Sequence, residues 1–343
     1  MDNDWADFRL LMFMLKVLQH RSVREAADEL HTTPSNISAA AKKFYEQSGM
    51  RLYTLTKDKR IVPTEEGLAF PELVAVVFAV HSEFVAALKA IHNGDIRTLR
   101  FGCGTFVAPD VFRAACAIHK RCLPNCAIHP SHAGSAQLAN EVISGKIEAA
   151  IVTLPVEAPE LCVKELLHDR LVVCLRADDS LALKATLRPT DFADRLAVLN
   201  DPERHPEAHA RLAELLAEAG VRMEEYSRAS HPSEIQDLVF GGFGLALIRE
   251  GTELRPGLIT RPIFGVTWTV DTAFIYHKDR YPKTIPLLVR ELKQHLAAQT
   301  QRQVEKAVVT PPKKPVQRSI KPNGKAPKQL SLLDDLSTER LSA

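Results

Sequence analysis

The sequence predicts an α/β protein in which short helices and a hairpin precede one long helix and a larger domain of alternating strands and helices. Three observations support this class. Residues 1–66 hold short runs of helical periodicity and a basic turn, and residues 67–93 repeat apolar side chains along one helical face. Residues 94–298 alternate β-rich runs with helical runs, while residues 299–343 form a tail of different composition.

The composition excludes several protein classes. The chain has 343 residues, 45% hydrophobic and 25% charged, with a formal net charge of +2. This length and apolar content suffice for sizeable cores and argue against disorder of the bulk. The longest apolar run, Leu73–Val80, is far short of the roughly 20 residues of a membrane span, and the six cysteines lack disulfide-scaffold spacing. We therefore expect a soluble, cytoplasmic protein without a membrane partner.

Two short helices follow a first amphipathic helix. Ser22 is typical of a helix start because a glutamate follows three positions later, and Thr33 followed by Pro34 marks another start. Only a few residues separate these two helices, which span 22–30 and 34–48. This spacing is that of a helix-turn-helix, whose second helix enters the major groove of DNA.

A charged hairpin is predicted after the second helix, with strands at 51–53 and 60–62 around a polar tip. Residues 41–63 hold six basic side chains against two acidic ones, so positive charge gathers where phosphates would lie. The alternative is a solvated three-helix domain with an ordinary basic loop. The predicted DNA-binding residues are Ser22, Thr33, Pro34, Ser35, Asn36, Ser38, Lys42, Lys43, Arg51, Lys57, Lys59 and Arg60.

The segment after Thr64 predicts a long pairing helix. Glu65 and Glu66 are favourably placed in its first turn, and Pro71 is a potential kink. Apolar residues then recur at alternating steps of four and three, which is the repeat of a coiled coil. The alternative is a helix that packs on its own domain. We expect dimerisation through Leu73, Val77, Val80, Phe84 and Ile91.

The first 67 residues resemble the DNA-binding domain of LysR-type transcriptional regulators. The landmarks that match at the family's spacing are Ser22, Ala26-Ala27, Leu30, Thr33, Ser35, Ile37, Ser38, Lys42-Lys43, Gly49–Tyr53 and Thr64–Gly67. The sequence departs from the family at Ala39-Ala40-Ala41, where longer polar side chains are usual, so two candidate DNA contacts are missing. The resemblance implies double-stranded DNA as a partner and a homodimer or homotetramer, with RNA polymerase as a candidate partner.

Beyond residue 97, two β-α-β-α-β units predict a parallel sheet with helices on both faces. Two such units with an exchange of chain leave a cleft at the carboxyl ends of their strands, where ligands bind. Leu99–Gly102, Gly145–Glu148 and Gly242–Leu247 resemble the effector domain of the same family, itself like periplasmic binding proteins. The predicted strands lie near 99–103, 126–129, 148–153, 171–175, 197–199, 245–248 and 272–276, and the last helix near 283–297.

The cleft predicts a site for a small-molecule effector. The hydroxyls and the helix start at Ser135 would suit a carboxylate or another small anion. Each residue also has a plainer explanation, with Ser135 as a helix cap and Thr105 as a turn residue. The predicted effector-binding residues are Thr105, Phe106, His132, Gly134, Ser135, Thr153, Asn200 and Asp201.

Catalytic motifs are not found in the sequence. Gly241–Gly244 lacks the lysine of a phosphate-binding loop, and the histidines and serines are too scattered for a triad. We therefore predict no enzyme activity and no cofactor, and prefer a ligand-responsive DNA-binding regulator to a solute-binding module without DNA function or an enzyme on an α/β fold. A cluster of possible metal ligands consists of Cys116, His119, Cys122, Cys126, His129 and His132. We interpret these residues as core packing in preference to a metal site or a redox pair of cysteines.

The tail, residues 299–343, is basic and rich in proline. Residues 302–328 hold eight Lys/Arg, one acidic residue and five prolines. Such a stretch cannot bury a core, so we expect it to be disordered and free to sample DNA phosphates. Gln329–Leu333 resembles the short peptide by which several proteins dock on the bacterial sliding clamp of replication. A small terminal helix packed on its own protein, or disorder alone, is the favoured alternative.

Overall fold

The N-terminal part of the chain folds as three helices and a hairpin that lead into one long helix. The computed structural model describes residues 6–58, 60–94, 97–222 and 226–309, with side chains described up to residue 302. The elements are α1 (Phe8–His20), α2 (Val23–Glu29), α3 (Pro34–Ser48), β1 (Tyr53–Leu55), β2 (Ile61–Pro63) and α4 (Glu65–His92). The predicted winged helix-turn-helix and long linking helix are confirmed, and Pro71 lies inside α4 without ending it.

Side-chain caps start these helices. The hydroxyls of Ser22, Thr33 and Thr64 each accept a hydrogen bond from the backbone N–H three residues on, at 3.2–3.3 Å. These bonds satisfy donors that the first turn of a helix leaves free. At the other end of α3, Gly49 adopts the left-handed backbone, with φ 71°, that commonly terminates a helix.

Small residues let α2 pack closely against its neighbours. Ala26 and Ala27 have no exposed surface, and the core around them includes Val17 and Ile37, each also fully buried. The ring of Phe44 meets that of Phe70 edge-on, with centroids 5.8 Å apart. Because Phe70 belongs to α4, this contact anchors the long helix on the helix-turn-helix core.

The hairpin lies further along the chain than predicted. Its strands pair Tyr53–Leu55 with Ile61–Pro63, instead of 51–53 with 60–62. The physical reason is a competing set of hydrogen bonds. The backbone N–H of Thr64 donates to the carbonyl of Leu52 at 3.0 Å, and its hydroxyl donates to the carbonyl of Arg51 at 2.6 Å. Residues 51 and 52 therefore hold the start of α4.

In the described part of the chain, nine strands form the sheet of the larger domain. Its order is β4-β3-β5-β11-β6-β9-β7-β8, with β10 paired to β6. The elements are β3 (Thr98–Gly104), α5 (Pro109–Cys122), β4 (Ala127–Ala133), α6 (Ser135–Ser144), β5 (Ala149–Thr153), β6 (Leu161–Arg176), α7 (Pro189–Phe192), β7 (Leu196–Asn200), α8 (Pro206–Glu218), β8 (Ser227–Ala229), α9 (Pro232–Phe240), β9 (Leu245–Arg249), β10 (Leu258–Pro262), β11 (Thr269–His277) and α10 (Ile285–Val309).

The larger domain has two subdomains, and its sheet is mixed. We call β3, β4 and β5 with α5 and α6 the first subdomain, and β7, β8 and β9 with α8 and α9 the second. Within each subdomain the three strands are parallel, as predicted. The prediction is wrong for β6 and β11, which pair antiparallel, and it did not include β8 or the antiparallel strand β10. β6 and β11 connect the subdomains, and the charged first half of β6 concealed a strand that extends from Leu161.

α9 begins at Pro232, with the side chain of His231 as its cap. The last helix ends later than predicted. α10 continues through Val309, although the sequence predicted an end near residue 297 and disorder from residue 302. The added segment, residues 298–309, holds three glutamines and two alanines and precedes the first proline of the tail, so its composition is compatible with a helix. Gln329–Leu333 lies outside the described residues.

Candidate functional site

The outward face of α3 carries small and polar side chains. Ile37 and Phe44 point into the core, and exposed residues occupy the other face. Of the three alanines predicted to lack DNA contacts, Ala40 is buried and Ala41 packs partly on the core, which leaves Ala39 as the exposed one. The exposed residues of α3 up to residue 43 are therefore Pro34, Ser35, Asn36, Ser38, Ala39, Lys42 and Lys43, and Tyr45, Glu46 and Gln47 are exposed in its last turns.

Basic side chains flank this face. Lys42 lies 3.6 Å from Glu46, with both side chains largely exposed. The guanidinium of Arg51 lies over the ring of Tyr45, 4.8 Å from its centroid, at the junction of α3 and the β1–β2 hairpin, which we call the wing. Lys57 and Arg60 are exposed on the hairpin, while Lys59 lies outside the described residues. The hydroxyls of Ser22 and Thr33 serve as helix caps at the start of α2 and α3.

One face of α4 is apolar and uncovered. The opposite face packs on the N-terminal domain, where the ring of Phe8 lies 5.8 Å from that of Phe78 and 4.4 Å from that of His81. Within the described residues, α4 is the helix long and apolar enough to cross a membrane by length and composition. The exposed apolar residues, which include all five predicted seam positions, are Leu68, Leu73, Val76, Val77, Val80, Phe84, Leu88 and Ile91.

Hydroxyl groups meet at the carboxyl ends of the first subdomain's strands. The N-cap of α6 is Gly134, which offers no side chain to cap the helix. Ser135 is therefore not the cap, and its Oγ lies 3.1 Å from Thr153 Oγ1 while accepting the Thr153 N–H at 3.2 Å. The first turn of α6 keeps backbone donors that no side-chain cap engages, and such donors suit an anion.

Thr272 belongs to this group of hydroxyls, although it was not among the predicted effector-binding residues. It is the β11 partner of Thr153 in the antiparallel register and is fully buried. Its Oγ1 has no hydrogen-bond partner among the described residues. A polar residue at the end of an apolar strand was the available signal. Cross-strand partners lie close together on one face of a sheet, so Thr272 lies beside Thr153.

Phe106 is held by two groups of the second subdomain. Its ring meets the imidazole of His205 edge-on at 4.7 Å, and its carbonyl oxygen accepts a hydrogen bond from Arg249 Nη2 at 2.7 Å. Neither His205 nor Arg249 was predicted. Both carried a sequence signal, since a His-Pro pair precedes α8 and an arginine ends the apolar strand β9. Thr105 donates its N–H to the carbonyl of Ala133 at 3.2 Å, which ties this loop to β4.

The remaining predicted residues have largely structural contacts. Asp201 accepts the Glu203 N–H at 3.0 Å and the Ser230 hydroxyl at 3.3 Å. Asn200 uses its carbonyl to accept from His209 Nδ1 at 3.0 Å. His132 lies on the α5 side of the sheet, with its ring 5.8 Å from that of Phe112.

Arg249 lies in a nearly buried ionic cluster. Its Nη1 donates to Asp169 at 2.8 Å, and the arginine side chain is only 10% exposed. Burial lowers the pKa of Arg249 and raises that of Asp169, and nearby Asp110 influences both groups. Asp169 lies on the crossing strand β6, so Arg249 links this strand, the second subdomain and the Phe106 loop.

Four of the six cysteines are poor candidates for thiol chemistry. Burial raises the pKa of Cys103 and of Cys174 to about 12, and it also raises the pKa of Cys116 and Cys126. Reaction with an oxidant or a metal requires the thiolate, which burial disfavours. In the part of the chain that the structure describes, no group of three or more His, Cys, Asp or Glu is placed to hold a metal ion.

Two family profiles match this architecture. The LysR substrate binding domain matches residues 92–301, and the bacterial regulatory helix-turn-helix protein, lysR family, matches residues 8–68. The chain belongs to the LysR family. This LysR-family chain is thus a transcriptional regulator with a helix-turn-helix for DNA and a domain for a small-molecule effector.

Known LysR-family proteins match most of this chain at low identity. A hydrogen peroxide-inducible genes activator of Pectobacterium carotovorum is 22% identical over 250 residues, which are 71% of this chain and 79% of the relative. The structure of a Corynebacterium glutamicum OxyR C206 mutant covers 88% of this chain and 96% of its own, with TM-score 0.54 and 19% identity. CbnR with its target DNA gives TM-score 0.51 at 16% identity, covering 84% of this chain and 99% of its own. These structures share its fold.

Proposed function

We propose that this regulator binds double-stranded DNA through the exposed face of α3 and the wing, and that a small anion bound between the subdomains modulates its activity. The observation that carries the first part is the small, uncovered face of α3 flanked by exposed basic side chains. Ser35, Asn36 and Ser38 lie near base edges, and Lys42, Lys43, Arg51 and Arg60 face phosphates. Short side chains reach few base edges, so readout leans on DNA shape.

A mobility shift at several salt concentrations tests the DNA surface. Replacing Lys42 and Lys43 by alanine should weaken binding to all sequences and reduce the slope of log affinity against log salt by about one to two units. Lys89→Ala, which removes an exposed lysine from α4, is the matched control and should keep the slope. An unchanged slope in the Lys42, Lys43 variant would contradict this surface.

The effector part of the proposal is carried by the hydroxyl group Ser135, Thr153 and Thr272 at the start of α6. Three hydroxyls and a helix N-terminus without a side-chain cap offer donors that match a carboxylate. Acetate and benzoate are suitable probes because they share only the carboxylate. Both should raise the melting temperature of the wild type and leave that of Thr272→Val unchanged. Thr269→Val, at the exposed start of β11, is the control. A rise that Thr272→Val retains would contradict this site.

The apolar face of α4 supports dimerisation, and tetramers would form further through the effector domains. A second copy of α4 covers an apolar face of this length in the way the coiled-coil repeat predicts. The dimer then binds two half-sites on DNA in the cytoplasm, and RNA polymerase is a candidate partner. No enzyme activity is part of this proposal, since the matched relatives are transcriptional regulators.

Peroxide sensing, which the names of several relatives describe, is less favoured for this chain. The raised pKa values of Cys103, Cys116, Cys126 and Cys174 oppose thiolate formation. A redox pair needs a reactive thiolate, which leaves Cys122 and Cys162, both partly buried, as its candidates. The anionic effector therefore remains the preferred signal.

Docking of Gln329–Leu333 on the sliding clamp is a subsidiary proposal that rests on sequence alone. A labelled peptide spanning residues 325–341 is titrated with purified clamp, beside a peptide with Gln329→Ala and Leu332→Ala. Binding by the first peptide only would support docking. No binding at about 100 μM clamp, or equal binding by both peptides, would leave the tail as a basic tether.

A further inference from the structure

We propose that the effector cleft is closed by a latch in which His205 lodges against Phe106 and Gly134 while Arg249 holds the Phe106 carbonyl, so that a ligand enters only after these contacts separate. The inference rests on the proposed function in taking the cleft as the effector site. Phe106 and Gly134 belong to the first subdomain, whereas His205 and Arg249 belong to the second. Each of these contacts therefore crosses the cleft.

His205 is positioned by its own subdomain. It precedes α8, yet it is only 6% exposed. Its Nε2 lies 3.2 Å from the carbonyl of Ser230, and its backbone N–H donates to the carbonyl of Asp201 at 2.8 Å. Asp201 in turn accepts from the Ser230 hydroxyl. The imidazole is thus fixed before it meets Phe106, which is a property expected of a latch and not of a freely moving surface side chain.

Gly134 shows how closely the two subdomains approach. A Cβ placed on Gly134 would lie 2.7 Å from the carbonyl oxygen of Arg204 and 3.4 Å from His205 Nδ1. The backbone of Gly134, with φ −64° and ψ 156°, is one that any residue adopts. Glycine is therefore required by the contact across the cleft and not by its conformation, and one methyl group would act as a wedge.

Arg249 connects the latch to the strands that join the subdomains. Its bond to the Phe106 carbonyl crosses the cleft, while its pair with Asp169 reaches β6. Opening the cleft breaks the first bond and leaves the second. A buried guanidinium that loses an acceptor costs free energy, so Arg249 favours the closed arrangement until water or a ligand group replaces the carbonyl.

Hydrogen exchange on the full-length protein tests the latch without any ligand. Gly134→Ala should speed exchange of the segments 104–109 and 202–209 about tenfold relative to wild type. Gly241→Ala is the control, because it adds the same methyl to a glycine with an ordinary φ on the second subdomain, against the exposed Phe243 ring. The control should leave both segments unchanged. Equal exchange in Gly134→Ala and wild type would overturn the latch.

A second variant tests the latch if the methyl group added by Gly134→Ala disturbs folding. Faster exchange of β3 and β7 in Gly134→Ala would indicate unfolding, and His205→Ser then decides, since it removes the imidazole without adding volume. Selective acceleration of the same two segments supports the latch, and its absence overturns it. Thr272→Val should not change this exchange. A carboxylate response that is absent from the wild type or retained by Thr272→Val, beside a normal latch result, would therefore count against the effector site alone.

Discussion

Gly67 illustrates how one residue joins two elements. It lies in the first turn of α4, where a Cβ would be 1.8 Å from the carbonyl oxygen of Leu52 and 2.9 Å from its carbonyl carbon. The wing therefore packs directly on the helix backbone. This contact explains the glycine that ends the Thr64–Gly67 block, whose threonine caps the same helix.

We predict that Gly67→Ala destabilises the N-terminal domain by about 3 kcal/mol, because backbone must move to admit the methyl group. The measurement is urea unfolding of the full chain followed at the N-terminal domain. Leu68→Ala alters the adjacent, exposed position and should have little effect. A urea midpoint of Gly67→Ala equal to that of wild type would show that the wing moves without loss of stability and would contradict this prediction.

At the scale of the element, α4 packs on the N-terminal core with one face and exposes apolar side chains on another. Phe70 and Val74 face the helix-turn-helix core, and Val80 and Phe84 lie among the exposed apolar residues. The side chain of Glu83 also pairs with Arg290 of α10, which connects the linking helix to the larger domain. One helix therefore contacts both domains and still presents a free apolar surface.

Val80→Asp should convert the protein to a monomer and abolish operator binding, since the substitution places an unpaired charge in the apolar seam. Sedimentation velocity gives the oligomeric state directly. Ala75→Asp introduces the same charge at an exposed position on another face of α4 and should leave the assembly intact. A dimeric Val80→Asp protein would place the interface elsewhere.

At the scale of the whole molecule, closure of the cleft couples stability to pH. Burial lowers the pKa of His205 below its ordinary value of 6.5, with Arg204 lowering it further. The bond to the Ser230 carbonyl and the charges of Asp201 and Glu207 act in the opposite direction and are weaker than burial. His205 is thus neutral when it is buried between the subdomains, and protonation favours their separation.

The contribution of His205 to stability should be complete above its ordinary pKa and be lost as pH falls below it towards the lowered value. We expect the difference in urea midpoint between wild type and His205→Gln to shrink from about pH 8 to about pH 5.5. Other buried histidines, such as His119, are present in both proteins, so their pH-dependent contributions to stability cancel in this difference. A difference that does not vary with pH would contradict the neutral, buried state of His205.

Local signals were sufficient for much of the fold. The caps at Ser22, Thr33 and Thr64 join residues three positions apart, so both partners lie within one short stretch of sequence. The apolar repeat of α4 likewise determines its exposed face without reference to other elements. For the same reason the outward residues of α3 could be named from helical periodicity, although the run of alanines could not be divided into buried and exposed positions without the packing of α3.

The contacts that form the cleft could be identified only from the tertiary structure. Thr272 meets Thr153 through a strand register that joins residues more than 100 positions apart, and no local pattern encodes that register. His205 and Gly134 come together only because two subdomains close on each other. The antiparallel crossing of β6 and β11 was hidden for a related reason, since strand direction depends on where the chain returns. The sequence by itself determined which residues form the proposed DNA-binding surface and the exposed apolar face of α4, because these residues are neighbours on single elements. The cleft required the structure, because its contacts join residues distant in the chain.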